Sequence, residues 1–119
     1  MAFNEDIAQR IRQILYDKGV AFSEKKMFSG LCFMVDDKMC CGTRIDKRTD
    51  ESLLLCRIGE KAYETAIERD DCIPMDSTGR TIRGYLFVIE SGFKSNKDLM
   101  YWLQLCLDFN PSAQKSKKK

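Results

Sequence analysis

The sequence has no histidine among its 119 residues. Histidine is the commonest general base in enzymes, and it activates the nucleophile in Ser-His and Cys-His pairs. Its absence excludes those pairs and leaves carboxylates, Lys, Tyr and Cys for acid–base chemistry. The adjacent acids Asp36-Asp37, Asp50-Glu51 and Asp70-Asp71 lie in predicted loops, where turn formation and solubility account for them. We therefore expect no enzyme and no catalytic residue.

The sequence also lacks the short motifs that hold cofactors and metals. It contains no Gly-x-Gly-x-x-Gly, no Gly-Lys-Ser/Thr ending of a P-loop and no Cys-x-x-Cys pair. Most cysteines fall in predicted strands or a helix, where a free cysteine behaves as a small apolar residue. We expect reduced core thiols with no metal and no cofactor, and a redox role is the alternative. The cysteines are Cys32, Cys40, Cys41, Cys56, Cys72 and Cys106.

No long hydrophobic run is present. No apolar stretch approaches the roughly 18 residues that indicate a membrane span. The first six residues include Glu5 and Asp6 and lack the basic and apolar regions of a secretory signal. The expected location is therefore the cytoplasm, with no membrane contact.

Positive charge is scarce outside the C-terminus, although the formal net charge is +2. Four of the 20 Lys and Arg residues lie in residues 115–119, which leaves 16 basic and 18 acidic residues elsewhere. A duplex-binding domain normally has a clearly basic surface, because neutralising phosphates supplies much of its affinity. The pattern predicts one domain over residues 1–110 and a basic disordered tail over residues 111–119.

Apolar periodicity in the rest of the chain predicts three helices and five strands. The first helix covers residues 4–18, with Asn4 as its N-cap and Gly19 as its stop. Ser95 is the predicted cap of the last helix, which ends near Phe109. The other predicted segments are strands at residues 22–28, 31–36, 38–45, 52–58 and 82–89, a helix at residues 60–69 and a connection at residues 70–79.

Several positions within this pattern carry specific expectations. Asp36-Asp37 predicts a tight hairpin connection, and Gly30 predicts a break or bulge. The run Leu53-Leu54-Leu55 predicts an interior strand that is buried on both faces. Strand alternation places the adjacent Cys40 and Cys41 on opposite faces of their strand.

Two segments carry most of the resemblance to a known family. They are Met27-Phe28-Ser29-Gly30-Leu31-Cys32-Phe33-Met34 and Pro74-Met75-Asp76-Ser77-Thr78-Gly79-Arg80-Thr81-Ile82-Arg83-Gly84-Tyr85. In each, turn-forming residues lead directly into residues that favour strands. Together with Met39-Cys40-Cys41-Gly42, Leu53-Leu54-Leu55-Cys56-Arg57 and Trp102, they resemble the TfoX N-terminal domain over about residues 5–109. That domain stands at the front of bacterial competence regulators and also occurs as a free-standing small protein.

The resemblance implies an α+β fold with two layers. Its predominantly antiparallel sheet has about five strands with helices on one face, in the order helix, three strands, helix, two strands, helix, similar to secretion chaperones. It also implies a non-enzymatic regulatory or adaptor module that contacts a protein partner, in the setting of transcription or competence regulation. A homodimer is left open. The matched positions are mostly Gly, Pro, Met and apolar residues, which specify a fold more than a reaction.

Two rival functions follow from particular residues. A nucleic-acid-associated protein would use Arg80, Arg83 and the Lys-rich tail, whereas a small enzyme would use an unrecognised Cys-based site. Arg57, Arg80 and Arg83 are the candidate contacts for a partner or an anion. Arg57 also matches an Arg that is common in the family pattern after the Leu run.

The segment Asp76-Ser77-Thr78-Gly79-Arg80 is predicted to be a structural turn, with an anion contact as the lesser reading. Backbone geometry is expected to require glycine at Gly79 and Gly84. Arg44 and Arg57 are expected to face solvent or to form structural ion pairs. The methionines and aromatics are expected to fill the core, or to form an adaptable protein-binding face where they are exposed. They include Met27, Phe28, Phe33, Met34, Met39, Met75, Tyr85 and Met100.

Overall fold

The computed structural model describes residues 3–77 and 80–113, and it describes only the backbone of residues 76, 77 and 80. It forms an α+β domain with three helices and six strands in this part of the chain. The helices are α1 (Glu5–Asp17), α2 (Gly59–Ala66) and α3 (Asn96–Phe109). The strands are β1 (Ser23–Met27), β2 (Gly30–Val35), β3 (Lys38–Ile45), β4 (Ser52–Arg57), β5 (Cys72–Ser77) and β6 (Arg80–Ile89).

All six strands form one antiparallel sheet in the order β1-β2-β3-β4-β6-β5. The predicted α+β architecture is confirmed, with six strands where about five were predicted. The added strand is β5, which occupies most of the predicted connection at residues 70–79. Four strands precede α2, whereas the resemblance implied three. Pro74 lies within β5, which is an edge strand, where the missing backbone N–H breaks no central ladder.

The predicted caps of the first and last helices are confirmed, whereas α2 ends at Ala66 and is shorter than the predicted helix at residues 60–69. The Asn4 side chain accepts hydrogen bonds from the backbone N–H groups of Asp6 and Ile7 at the start of α1, which ends before Gly19. The Ser95 hydroxyl accepts a hydrogen bond of 3.0 Å from the N–H of Asp98 at the start of α3. Each cap satisfies a backbone donor that has no partner within its own helix.

Tight turns join the first three strands. Asp36-Asp37 forms the predicted hairpin turn between β2 and β3, with φ angles of 56° and 63°. Phe28 and Ser29 form a similar turn between β1 and β2, with φ angles of 56° and 60°. Gly30 begins β2 and is neither a break nor a bulge. A Cβ atom there would collide with the Thr43 carbonyl oxygen on β3, so close strand approach explains the glycine.

The three helices lie on one face of the sheet, as predicted. Their apolar residues meet Leu31, Leu54, Leu86 and Val88 from the strands in one buried cluster. Trp102 lies at its centre with no exposed surface, and its indole N–H donates a 3.1 Å hydrogen bond to the Gly92 carbonyl. The helix residues in the cluster are Ile7, Ala8, Ile11, Ile14, Leu15, Tyr63, Ala66, Leu99, Trp102, Leu103 and Cys106.

The run Leu53-Leu54-Leu55 confirms the prediction of an interior strand buried on both faces. Leu54 belongs to the cluster beneath the helices, whereas Leu53 and Leu55 belong to a second cluster on the opposite face of the sheet. β4 lies between β3 and β6, so both of its edges are paired. The sheet therefore buries apolar side chains on both sides, although helices cover only one.

Candidate partner-binding face

The side of the sheet opposite the helices is called the helix-free face here. None of its described apolar residues comes from a helix. Its buried members are Cys32, Met39, Leu53, Leu55, Met75 and Phe87, with Met27, Met34, Ile82, Tyr85 and Ile89 partly buried against them. Four of these eleven side chains are methionines, which adapt their shape more easily than branched or aromatic residues do. The face therefore combines apolar character with adjustable packing.

Strand register aligns this face in rows. Cys32 lies opposite Gly42, Gly42 opposite Leu55, and Leu55 opposite Phe87. Ile73 on the edge strand lies opposite Phe87 and completes the row. Directly opposite residues in antiparallel strands point to the same face, so this row crosses the sheet from β2 to β5.

The β5–β6 hairpin contributes to covering this face. Its register shifts between Pro74 and Asp76, which leaves Met75 as an irregularity in β5. Met75 is buried within the helix-free cluster. On β6, Gly84 has a φ of +94°, which L residues rarely adopt, so the expectation that backbone geometry requires this glycine is confirmed. Gly79 lies outside the described residues.

Arg44 on β3 lies over this face. Its guanidinium carbon is 4.4 Å from the centre of the Phe87 ring, and its Nη1 donates a 3.4 Å hydrogen bond to the Phe28 carbonyl. Its Nε is buried and has no hydrogen-bond partner among the described residues. Arg44 was expected to face solvent or to form an ion pair. Its side chain is partly exposed and contacts an aromatic ring and a carbonyl, and no carboxylate among the described residues pairs with it.

Arg57 ends β4 on the same face, opposite Tyr85. Its Nη1 donates a 3.3 Å hydrogen bond to the Met39 carbonyl on β3. Its guanidinium carbon lies 5.3 Å from the Tyr85 ring centre and 5.9 Å from that of Phe109 in α3. Two arginines thus lie against aromatic side chains of the helix-free face, an arrangement that cation–π attraction favours.

The predicted contact residues Arg57, Arg80 and Arg83 do not form a single described site. Arg83 pairs with Glu64 on α2 at 2.9 Å, and both side chains are more than half exposed. An exposed pair of this kind stabilises a protein by at most about 1 kcal/mol. The Arg80 side chain lies outside the described residues. Arg57 alone of the three is placed on the helix-free face.

Apolar side chains at the rim of the face are exposed to solvent. Phe28 is 38% exposed and Ile73 is 39% exposed. Phe28 is also a bulky residue with a positive φ, a strained conformation that most often persists where surrounding structure or function requires it. A crevice too narrow to hold a water molecule lies beside it, between Met27, Cys32, Arg44 and the other side chains of this corner. The rim therefore offers apolar surface that the described part of the chain leaves uncovered.

Among the described side chains, the charged residues in the strand rows of this face are all positive. Lys25 lies opposite Cys32, so it shares the face with Arg44 and Arg57, and it is exposed. Its neighbour Lys26 lies opposite Leu31 and therefore points to the helix side. The sequence does contain a signal for Lys25, because alternation along β1 puts Ser23, Lys25 and Met27 on one face. The sequence pattern did not show which face of the sheet that is.

The adjacent thiols of Cys40 and Cys41 do not point to opposite faces, and this prediction is wrong. Both belong to the cluster beneath the helices. The register of β2 and β3 shifts, so that Phe33 pairs with Cys41 while Met34 pairs with Met39. Cys40 is therefore the extra residue of a β-bulge, and a bulge cancels the alternation on which the prediction rested.

The environments of the thiols differ, although all six cysteines are free. A hydrogen bond from the Cys41 thiol lowers the pKa of Cys40, and the charge of Arg57 acts in the same direction. The same hydrogen bond and burial raise the pKa of Cys41, and burial together with a hydrogen bond to Cys106 raises that of Cys56. Burial raises the pKa of Cys32 to about 12.

Cys72 on β5 is the partly exposed cysteine of the set. Burial, assisted by the neighbouring Asp71 carboxylate, raises its pKa to about 12. Nucleophiles and metal ligands require the thiolate form, whereas a raised pKa keeps a thiol protonated. Most of these cysteines are therefore poorly suited to either role. In the described part of the chain, no three His, Cys, Asp or Glu residues are arranged to hold a metal ion.

Two other surfaces of the domain differ from the helix-free face. A cleft of about 450 Å³ lies beside the N-terminal half of α1, but its Arg10 is already bonded to the carbonyls of Phe93 and Lys94. On the helix side, Tyr16 and Tyr101 are exposed at 75% and 50%. Neither surface combines a row of apolar strand residues with charges of one sign.

A family model agrees with this fold. The model of the TfoX N-terminal domain matches residues 15–110, which include the end of α1, the whole sheet, α2 and α3. No curated protein matches the chain. No helix in the described residues is long and apolar enough to cross a membrane. Because the match covers most of the 119 residues, the chain belongs to the TfoX N-terminal domain family.

Proposed function

We propose that this protein is a non-enzymatic regulatory or adaptor module that acts in the cytoplasm by binding another protein on its helix-free face. The observation that carries the proposal is the uneven covering of the sheet. Three helices close one face, whereas the other leaves Phe28 and Ile73 exposed beside an apolar cluster. Exposed apolar side chains beside an adaptable, methionine-rich cluster suit a protein-interaction site.

The residue composition of the helix-free face also supports the proposal. Arginine, methionine and aromatic residues are enriched in protein interfaces, and all three occur together on this face. The sequence has no histidine and no cofactor motif, which supports a binding role over catalysis. The competence regulators of the same family suggest a setting in transcription or competence regulation, and partner binding is the property proposed to be shared with them.

Photo-crosslinking in living cells tests this function. A photoreactive phenylalanine analogue replaces Ile73 on the helix-free face in one variant and Tyr16 on α1 in a matched control, since both positions are exposed. The extract is divided, and one half is treated with nuclease before electrophoresis and mass spectrometry.

We expect one discrete protein adduct from the Ile73 position that survives nuclease and is absent from the Tyr16 position. Equal adducts from both positions would contradict the proposal, because they would report collisions without a defined surface. An adduct that nuclease removes would support the rival function, in which the protein associates with nucleic acid.

A further inference from the structure

We propose that the helix-free face binds an acidic segment of a partner protein that also carries large apolar side chains. This inference rests on the proposed function and names the chemistry of the partner. It follows from three features of the face: the sign of its charges, the state of Arg44 and the exposed apolar rim.

Charge gives the first indication. Lys25 and Arg44 both occupy strand positions on this face, and the described side chains in their rows include no carboxylate. At the rim, Asp36 is paired with Lys38 at 3.5 Å and Asp46 with Arg48 at 3.9 Å. Elsewhere the chain has more acidic than basic residues once the last five are set aside. The face is therefore a local positive region, and complementary charge both steers and aligns a partner.

Arg44 gives the second indication. Its Nε is buried without a partner, and an unpaired buried donor is costly. In the same protein, Arg12 pairs with Glu24 through Nε and Nη2 at 2.5 and 3.0 Å, so one carboxylate engages both nitrogens. When the Arg44 side chain turns outward from Phe87, its Nε becomes accessible, and a partner carboxylate could then engage it in the same two-point way, the strongest pairing that arginine makes.

The exposed rim gives the third indication. Phe28 and Ile73 stand near opposite edges of the sheet, on the β1–β2 turn and on β5. Apolar residues of the partner would cover them, and the adjacent methionines could repack around those residues. Because the row between them runs across the strands, the partner segment crosses the sheet and does not extend either edge.

The other occupants fit the face less well. A second copy would bring the positive patch of Lys25 and Arg44 against an identical positive patch, because a two-fold interface presents one patch to itself. Nucleic acid would need free aromatic faces for stacking. The rings of Phe87 and Tyr85 are already covered on one side by the two arginines.

An unbiased peptide selection tests the chemistry directly. The immobilised full chain is exposed to a phage library of random peptides of about 12 residues. In extended form, at about 3.3 Å per residue, these cross six strands spaced about 4.8 Å apart. Enriched peptides are sequenced, synthesised with a fluorescent label, and titrated with the protein while anisotropy is recorded.

Two adjacent lysines provide matched variants. Lys25 and Lys26 are both exposed on β1, but only Lys25 lies on the helix-free face. We expect Lys25→Glu to weaken peptide binding about three- to tenfold, because it reverses one exposed charge at the contact. Lys26→Glu should bind as the parent does. Arg44→Gln should weaken binding by at least tenfold, and thermal melting shows whether that variant remains folded.

The expected result is a set of enriched peptides with more Asp and Glu than Lys and Arg and with large apolar residues, whose affinity responds to Lys25→Glu. Enrichment of neutral or basic peptides, or equal effects of the two lysine variants, would overturn the inference. So would tighter binding of a labelled oligonucleotide than of any peptide. If the Ile73 position still gives a nuclease-resistant protein adduct, the adaptor function stands while the acidic chemistry fails.

Discussion

The two faces of this sheet are closed in different ways. Beneath the helices, apolar residues from α1, α2 and α3 meet apolar strand residues, and Trp102 is completely buried. On the helix-free face, the covering groups are the side chains of Arg44 and Arg57, together with Met75 from the β5–β6 hairpin. The first arrangement is a conventional core of fixed shape.

The second arrangement can be rearranged more cheaply. Arginine covers apolar surface with its stem while keeping its charge near water, and methionine adapts to changing neighbours. A face closed by such groups is stable without a partner and can still open to one. This difference supports our proposal that the helix side mainly provides stability and the helix-free side binds a partner.

The largest expected effect on stability comes from truncating two adjacent leucines that lie on opposite faces of the sheet. Leu54 and Leu55 are 0% and 2% exposed, on the helix side and the helix-free side respectively. We expect Leu54→Ala to lower the free energy of unfolding by about 3–5 kcal/mol, in the upper range for leucine truncation. Leu55→Ala should cost about 2–3 kcal/mol, because nearby methionines can partly fill the space. Urea denaturation of both variants decides the matter, and equal losses would show that the two faces are equally rigid.

Replacing Gly30, where β2 and β3 lie very close together, should have the next largest effect on stability. A Cβ atom there would meet the Thr43 carbonyl and lie 2.6 Å from the Arg44 Cβ, so β2 and β3 would have to separate. We expect Gly30→Ala to cost about 2–3 kcal/mol through overpacking. Gly19→Ala is the control, since its Cβ would meet nothing within 4 Å and only its positive φ is penalised, by about 1 kcal/mol. Similar losses in the two variants would contradict the steric account.

The thiol of Cys32 should make stability depend on pH in alkaline solution. Its folded pKa is about 12, whereas a thiol in an unfolded chain titrates near 8.5 to 9. Above about pH 9 the unfolded state therefore loses a proton that the folded state retains, and stability falls as pH rises. Between pH 8 and 10, we expect the parent to lose about 1.5 kcal/mol more than Cys32→Ala. Denaturation in a reducing buffer measures the stability of both proteins at each pH. Equal losses in the parent and in Cys32→Ala would show that folding does not protect the Cys32 thiol from deprotonation.

The smallest expected effect lies in the β1–β2 turn. Ser29 is exposed and has a φ of 60°, and glycine adopts that conformation without strain. We expect Ser29→Gly to raise the free energy of unfolding by about 0.5 kcal/mol and to leave peptide binding unchanged. A loss of stability in urea would mean that the turn conformation differs from the one described.

Much of the fold could be predicted from the sequence because local signals coincide with it. Asn4, Ser95 and Asp36-Asp37 act where their side-chain and turn chemistry indicates, and the Leu run marks the interior strand. β5 was missed because Pro74 usually argues against a strand, whereas an edge strand accepts it. Likewise, no residue type in the sequence indicates the bulge at Cys40, because the bulge depends on how β3 pairs with β2.

The candidate site was less predictable than the fold. The sequence indicated that methionines and aromatics could form an adaptable face, and it named Arg57 as a contact. It did not show that Arg44 lies over Phe87, since that contact joins β3 to β6 across the intervening β4. Which strand residues share a face with Lys25 also depends on register, which single-sequence patterns do not fix.

Methionine methyl resonances test the central claim most directly. Met27, Met34, Met39 and Met75 report on the helix-free face, whereas Met100 is exposed on α3. The protein is labelled with ¹³C at its methionine methyl groups and titrated with the tightest-binding peptide of the selection. We predict that the four methyl signals of the helix-free face shift together while that of Met100 stays in place. Movement of the Met100 signal alone would contradict the account and place the binding surface on the helices.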